Sequence, residues 1–285
     1  MENPCHPWYI PWRGICIPEA PGTGLYPVST LAVIPARLAS VRLPRKPLRL
    51  LGGRPLIVRV WERVCALGVA DRVVVATDSP DVASVCREAG AETVLTRADH
   101  PSGTDRVAEV AVQTGFSAFH TIVNVQGDEP FVSEQAVRGA VDIVATGRYP
   151  LGTAACLASA EVLARPDIVK VVTADDGRAM YFSRAPIPFL RDPADQSKLA
   201  GQVRQHIGVY AYTHSALSAW VTLKPHPLEL IEKLEQLRPL AAGWAMGVAS
   251  VTDAPLGGID TEDDLARANA QWDSLNNHTT STGRR

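Results

Sequence analysis

From Leu31 onward the chain alternates short apolar runs with segments of helical period, and this alternation restricts its fold more than any other feature. LAVIP at 31–35, DRVVVAT at 71–77, ETVLT at 92–96 and TIVNVQ at 121–126 are runs of the kind found in strands buried on both faces. Helical signals separate them. Leu56, Val60, Val64 and Leu67 recur at helical spacing, and Gly68 follows as a stop. In SPDVASVCREAG, Ser79 reads as an N-cap, Pro80 as the first helical residue and Gly90 as the terminator. A further helix is predicted over 103–113. Such repetition implies an α/β fold, a mainly parallel sheet flanked by helices on both faces. Ligands in these sheets bind beyond the carboxyl ends of the strands. Residues 35–46 and 127–130 fall there.

The second half is less regular. DIVKVVTADDG reads as a strand and turn, and RQHIGVYAYT as a strand of period two. The spacing of Leu230, Ile231, Leu234 and Leu237 predicts one helix over 227–238 with these residues on a single face. GVASVT is a last strand, and Thr261 is the expected N-cap of a C-terminal helix. The predicted organisation is a flexible Pro- and Gly-rich extension over 1–30, one α/β domain over 31–275 and a disordered polar tail over 276–285. The formal net charge of −2 points to neither nucleic acid nor a membrane surface as partner. No apolar run approaches the roughly 18 residues of a membrane span, and the first residues lack the pattern of a signal peptide. Of the 5 cysteines, Cys65 and Cys86 fall in helical patterns and read as buried thiols of a reducing cytoplasm.

The loop IPARLASVRLPRKPL gathers Arg37, Arg42, Arg45 and Lys46, and Pro35, Pro44 and Pro47 stiffen it. Cations on a loop above a sheet suit a triphosphate, whose chemistry depends on charge stabilisation and positioning, and by charge alone they suit a solvated basic loop equally well. The loop has neither the GxxxxGK[ST] nor the GxGxxG signature, which argues against a P-loop or dinucleotide enzyme. NVQGDEP closes a strand with Asp128 and Glu129. Asp128 reads as a magnesium ligand or a turn residue, and Asp260 as a second ligand or a helix cap. Glu129, Asp263 and Asp264 read as surface or capping acids, and Gly127 as a point of close backbone approach to a nucleotide. Glu232 and Gln236, four apart, project from one side of the predicted helix, toward sugar hydroxyls or toward solvent.

The loop resembles the signature IPARxxSxRLPxKPL of the CMP-Kdo synthetase family, the 3-deoxy-manno-octulosonate (Kdo) cytidylyltransferases. TRADHPSGTDR, NVQGDEP, VKVV, YFSRAPIP, RQHIGVYAY, PLELIEKLEQLR and GIDTEDDL resemble further family blocks, in the family's order. Departures occur at Leu38, where the family has an aromatic residue, at Val41, where it has Thr, and at Arg45, where it has Gly. The resemblance implies a Rossmann-like nucleotidyltransferase fold with a smaller dimerisation and sugar-binding subregion. It implies transfer of CMP from CTP to Kdo with release of pyrophosphate, for lipopolysaccharide biosynthesis. The implied nucleotide-binding residues are Pro35, Ala36, Arg37, Ser40, Arg42, Lys46, Ser102, Gly103, Arg106 and Gln126. Arg42, Lys46, Asp128 and Asp260 carry the catalytic roles, with Mg2+ at Asp128 and Asp260. Arg184, His206, Glu232 and Gln236 are implied at the sugar. A cytoplasmic homodimer paired through 182–212 is the expected assembly. Two alternatives stay open: an acceptor such as 8-amino-Kdo or a sialic-acid-like sugar, and a non-catalytic nucleotide or sugar sensor.

Overall fold

The computed structural model describes residues 29–281. Most of the expected 1–30 extension, and residues 282–285 of the expected tail, lie outside the described residues. β1 (Thr30–Ala36) opens the domain, and a 3-10 turn at Lys46–Leu48 leads to a hairpin of β2 (Leu50–Leu51) and β3 (Arg54–Pro55). There follow α1 (Leu56–Leu67), β4 (Arg72–Thr77), α2 (Pro80–Glu88), β5 (Glu92–Leu95), α3 (Gly103–Ala111), β6 (Thr121–Val125) and α4 (Glu134–Ala145). The second half comprises β7 (Leu151–Leu157), β8 (Lys170–Thr173), β9 (Ala179–Ser183), β10 (Arg204–Thr213), α5 (His214–Trp220), α6 (Pro227–Glu232), α7 (Leu237–Ala241), β11 (Met246–Val251) and α8 (Glu262–Ser281).

The main sheet runs β11-β7-β10-β6-β1-β4-β5, and β8 and β9 extend it beside β10. Along that path only β10 runs against the others. This is the α/β architecture that the alternation predicts. Strand alternation sends β1 side chains to two cores. Ala32, Ile34 and Ala36 pack with α1, α2, α4 and α8, whereas Leu31 and Val33 pack with α3, α5 and α7. The chain leaves β1 toward β4 and β5, then returns to add β6 on the other side of β1. That reversal opens a crevice at the carboxyl ends of β1 and β6.

Helix starts follow the sequence signals. Ser79, Ser102 and Ser133 each accept a backbone N–H in the first turn of α2, α3 and α4. The last helix docks back on the start of the domain. Asn269 Oδ1 accepts from Gly52 N at 2.9 Å, Arg49 meets Glu262 at 2.5 and 2.7 Å, and the Arg59 guanidinium lies 4.4 Å over the Trp272 ring. Gly52 sits against that ring, where a side chain would collide.

Three expectations need correction. The helix predicted over 227–238 is broken: α6 ends at Glu232, Lys233 takes a left-handed conformation, and α7 begins at Leu237. Apolar spacing cannot register a break whose cause is polar. Only Leu234 and Leu237 of the predicted face are buried, and Leu230 and Ile231 are exposed. Cys65 is exposed, while Cys86 is buried as expected.

Two glycines let α4 lie close on the sheet. A Cβ on Gly139 would stand 2.6 Å from that of Ala249 on β11, and one on Gly152 would run into the Ala140 carbonyl. Backbone cannot yield as a side chain can, so Gly152→Val should lower the unfolding free energy by roughly 1–3 kcal/mol. The midpoint of urea unfolding reads this directly.

Candidate active site

The crevice beyond β1 and β6 is a cleft of about 470 Å³. Pro35, Ala36, Arg37, Ser40, Arg42 and Lys46 form one wall, Ser102, Gly103 and Arg106 a second, and Gln126, Asp128 and Asp260 the floor and mouth. Every residue implied at the nucleotide or in catalysis therefore lines the same cleft. Glu235 and His100 line it too, and the sequence reading missed both as site residues.

Local structure explains the convergence. Gly127 has no room for a side chain, because a Cβ there would stand 2.6 Å from the Pro35 carbonyl. The residue serves the joint between the β1 and β6 loops, a second reason for a glycine at a position that also lines the cleft. Arg106 is buried and turned toward its own scaffold. It pairs with Asp78 at 3.4 Å and donates to Thr96 Oγ1, and Asp78 also accepts from Leu38 N at 3.4 Å. Asp78 thus joins the signature loop to α3.

Lys46 is the electrostatic centre. Its Nζ lies 2.6 Å from Asp128 Oδ2 and 2.9 Å from Asp260 Oδ1, and Arg42 reaches Asp260 Oδ2 at 2.8 Å. Burial pulls the Lys46 pKa down, but Asp128 and then Asp260 outweigh it and hold the ammonium above its usual range. Asp260 is not the cap of α8. Thr261 Oγ1 accepts from Asp264 N at 3.1 Å, and Asp264 accepts in return from Thr261 N at 2.9 Å and Asp260 N at 3.1 Å. Those neighbours free the Asp260 carboxylate to face the cleft. Glu129, expected as a surface or capping acid, is partly buried against Gly258. Burial, with Asp128 and Asp260 beside it, pushes its carboxyl up to about 8.

Asp128 and Asp260 are hard oxygen donors that converge on one point, now filled by the Lys46 ammonium. Two such carboxylates leave further positions for phosphate oxygens, and this donor set fits Mg2+.

The residues implied at the sugar do not line this cleft. They gather behind it, around β9 and β10. Glu232 accepts from Ser183 Oγ at 2.6 Å and Arg184 N at 2.9 Å, and Arg184 Nε donates to the Glu232 carbonyl at 2.9 Å. Gln236 is buried, and its Nε2 has no hydrogen-bond partner among the described residues. Because of the break at Lys233, Glu232 and Gln236 do not form the single helical row read from their spacing. His206 is buried, with its ring edge-on to Phe182 at 4.9 Å and its Nε2 2.8 Å from Thr153 Oγ1. Glu235 links this cluster to the cleft: it accepts from Thr104 Oγ1 at 2.8 Å on the first turn of α3.

A cytidylyltransferase family model matches residues 31–246. The 3-deoxy-manno-octulosonate cytidylyltransferase of Gemmatimonas aurantiaca is 65% identical over 245 residues, covering 86% of this chain and 95% of the relative. This chain belongs to the CMP-Kdo synthetase family. The enzyme of the same name from Herminiimonas arsenicoxydans is 46% identical, over 84% of this chain and 97% of its own. A solved CMP:2-keto-3-deoxy-manno-octonic acid synthetase complexed with CTP superposes with a TM-score of 0.80 at 35% identity, covering 87% of this chain and 99% of the other. One departure from the CMP-Kdo synthetase signature now has a structural account. The position where the family has Gly is left-handed here, and Arg45 adopts it at φ 54 with its guanidinium tied to Asp81 at 3.1 Å. The structure offers no account of Leu38 or Val41.

Burial pushes the His206 pKa down to about 3 from 6.5. Below 6.5 the unfolded chain takes up a proton that the folded chain refuses. The stability tied to neutral His206 is full above that pH and falls as pH drops toward 3. Urea unfolding at pH 7 and pH 5 should show the parent losing about 2 kcal/mol more than His206→Gln.

Proposed function

We propose that this chain transfers CMP from CTP to Kdo, giving CMP-Kdo and pyrophosphate for lipopolysaccharide biosynthesis. The observation that carries this reading is the convergence of Lys46, Arg42, Asp128 and Asp260 in one cleft, in a chain 65% identical to a 3-deoxy-manno-octulosonate cytidylyltransferase.

The reaction is an in-line displacement. The anomeric hydroxyl of Kdo gives up its proton to solvent and attacks the α-phosphorus of CTP; the new P–O bond forms as the bond from that phosphorus to the bridging oxygen breaks, with pyrophosphate leaving. Lys46 and Arg42 supply positive charge where the phosphates gain negative charge, in a site already shaped for it. Arg37, exposed on the same loop, helps to position the nucleotide. Gly103 and Ser102 bring the start of α3 to the cleft, where backbone N–H groups favour anionic ligands. Asp128 and Asp260 would hold Mg2+, which when bound neutralises phosphate charge and lowers the pKa of a bound hydroxyl. Glu235 offers the acceptor a carboxylate at the edge of the sugar cluster.

No helix among the described residues is long and apolar enough to cross a membrane. Cytoplasmic residence is proposed on the use of CTP. A homodimer paired through 182–212 is proposed on the exposed Phe189 beside a second cavity lined by Leu190, Arg191, Lys198 and Arg204. Sedimentation at a few concentrations tests it, with a monomer throughout as the contrary result.

Pyrophosphate release should require CTP, Mg2+ and Kdo, and should cease on chelation by EDTA. Asp128→Ala and Lys46→Met should each lower kcat by at least about 100-fold. Release with 8-amino-Kdo or sialic acid in place of Kdo would reassign the acceptor. Binding of CTP without release under any acidic sugar would leave the sensor reading.

A further inference from the structure

The chain reverses at Lys233, with φ 55 and ψ 48, where the sequence predicts an unbroken helix. A lysine in this region is sterically disfavoured, so other contacts must hold the break. Glu229 supplies them. Its carbonyl accepts from Leu234 N at 3.2 Å and closes the turn. Its carboxylate accepts from His226 N at 3.1 Å at the start of α6. The same carboxylate takes Arg238 Nε at 2.8 Å and NH2 at 2.5 Å from α7. Both side chains are only 8% exposed. The pair is bidentate, buried and spans the break from one helix to the next.

The break decides which way the intervening acids face. Residues 232 and 235 would share one face of a continuous helix. Here Glu232 turns to Ser183 and Arg184 at the end of β9, while Glu235 reaches Thr104 and lines the cleft that holds Asp128 and Asp260.

We infer that the Glu229–Arg238 pair is a positioning device for the acceptor side of the cleft: it holds the reversal at Lys233 and so sets where Glu235 stands. Neither residue is a catalytic residue, because both act through Glu235. The inference rests on the CMP-transfer reading, in which the acceptor is the ligand that meets Glu235.

Removing one partner of a buried pair strands a charge and endangers the fold, whereas replacing both with apolar residues of similar size is often neutral. The informative variant is therefore Glu229→Met combined with Arg238→Met. It should bind CTP, measured by calorimetry without sugar, within about twofold of the parent, while its KM for Kdo rises by about 10-fold. Arg238→Lys keeps the charge but loses the planar fork, and should raise the Kdo KM alone by about threefold. This second variant keeps the question answerable if the double variant does not fold. A Kdo KM unchanged in the variants, or a Kdo KM and CTP affinity that weaken together, overturns the inference. Failure of the functional reading has its own signature, no pyrophosphate from the parent with any acidic sugar, and would take this inference with it.

Discussion

An ammonium held between two carboxylates ties together parts of the chain 82 and 214 residues apart. Lys46 comes from the loop after the first strand, Asp128 from the end of β6, and Asp260 from the entrance of α8. Without the cation, the two acids would stand close with the same sign, and their charge, added to burial, holds the Glu129 carboxyl behind them well above the usual carboxylate range. The rest of the fold makes this meeting possible. The reversal of strand order places β6 beside β1, so their loops share one crevice. Gly127 closes the joint between them, and Thr261 with Asp264 satisfies the start of α8 so that Asp260 remains free.

The site is assembled in two tiers. Some groups, such as Lys46 and Arg42, present their charge to the carboxylates of the cleft, and Glu235 lines it while bound to Thr104. Others, including Arg106 in the cleft wall, are consumed by scaffold. Arg106 is spent on Asp78 and Thr96, Arg184 on Glu232, and Lys170 on the carbonyls of Arg165, Ile168 and Arg184. A family motif therefore mixes both kinds of residue. PLELIEKLEQLR contains a buried clamp, Glu229 and Arg238, a strut to β9, Glu232, and a cleft residue, Glu235. Position within the motif says nothing about which is which.

That mixture explains what was legible in the sequence. The strand and helix order, the serine caps, Pro80 at the start of α2 and the loop cations are local signals, set by backbone chemistry over a few residues. They could be read directly. Asp128 and Asp260 could be ranked only through the family resemblance, since each has an ordinary local role. The reversal at Lys233 could not be read, because Leu230, Ile231, Leu234 and Leu237 keep helical spacing through it, while its cause is an ion pair nine residues apart in sequence. Burial of Glu129 and the reach of Glu235 to Thr104 escaped for the same reason: each depends on a neighbour far along the chain. Cys65 falls in a helical pattern and reads as a buried thiol, but it lies just off the stripe formed by Val60, Val64 and Leu67 and is exposed.

The docking of α8 on the β2–β3 hairpin has a consequence in time. A ribosome releases the cationic loop first, Asp128 82 residues after Lys46, and Asp260 214 residues after it, with the helix whose Asn269 and Trp272 seat on Gly52 and Arg59. Until that helix arrives, Lys46 has only one of its two acids. The three charged groups of the site can meet only after more than 200 residues of chain have followed the loop, so the site is completed by its most distant segment.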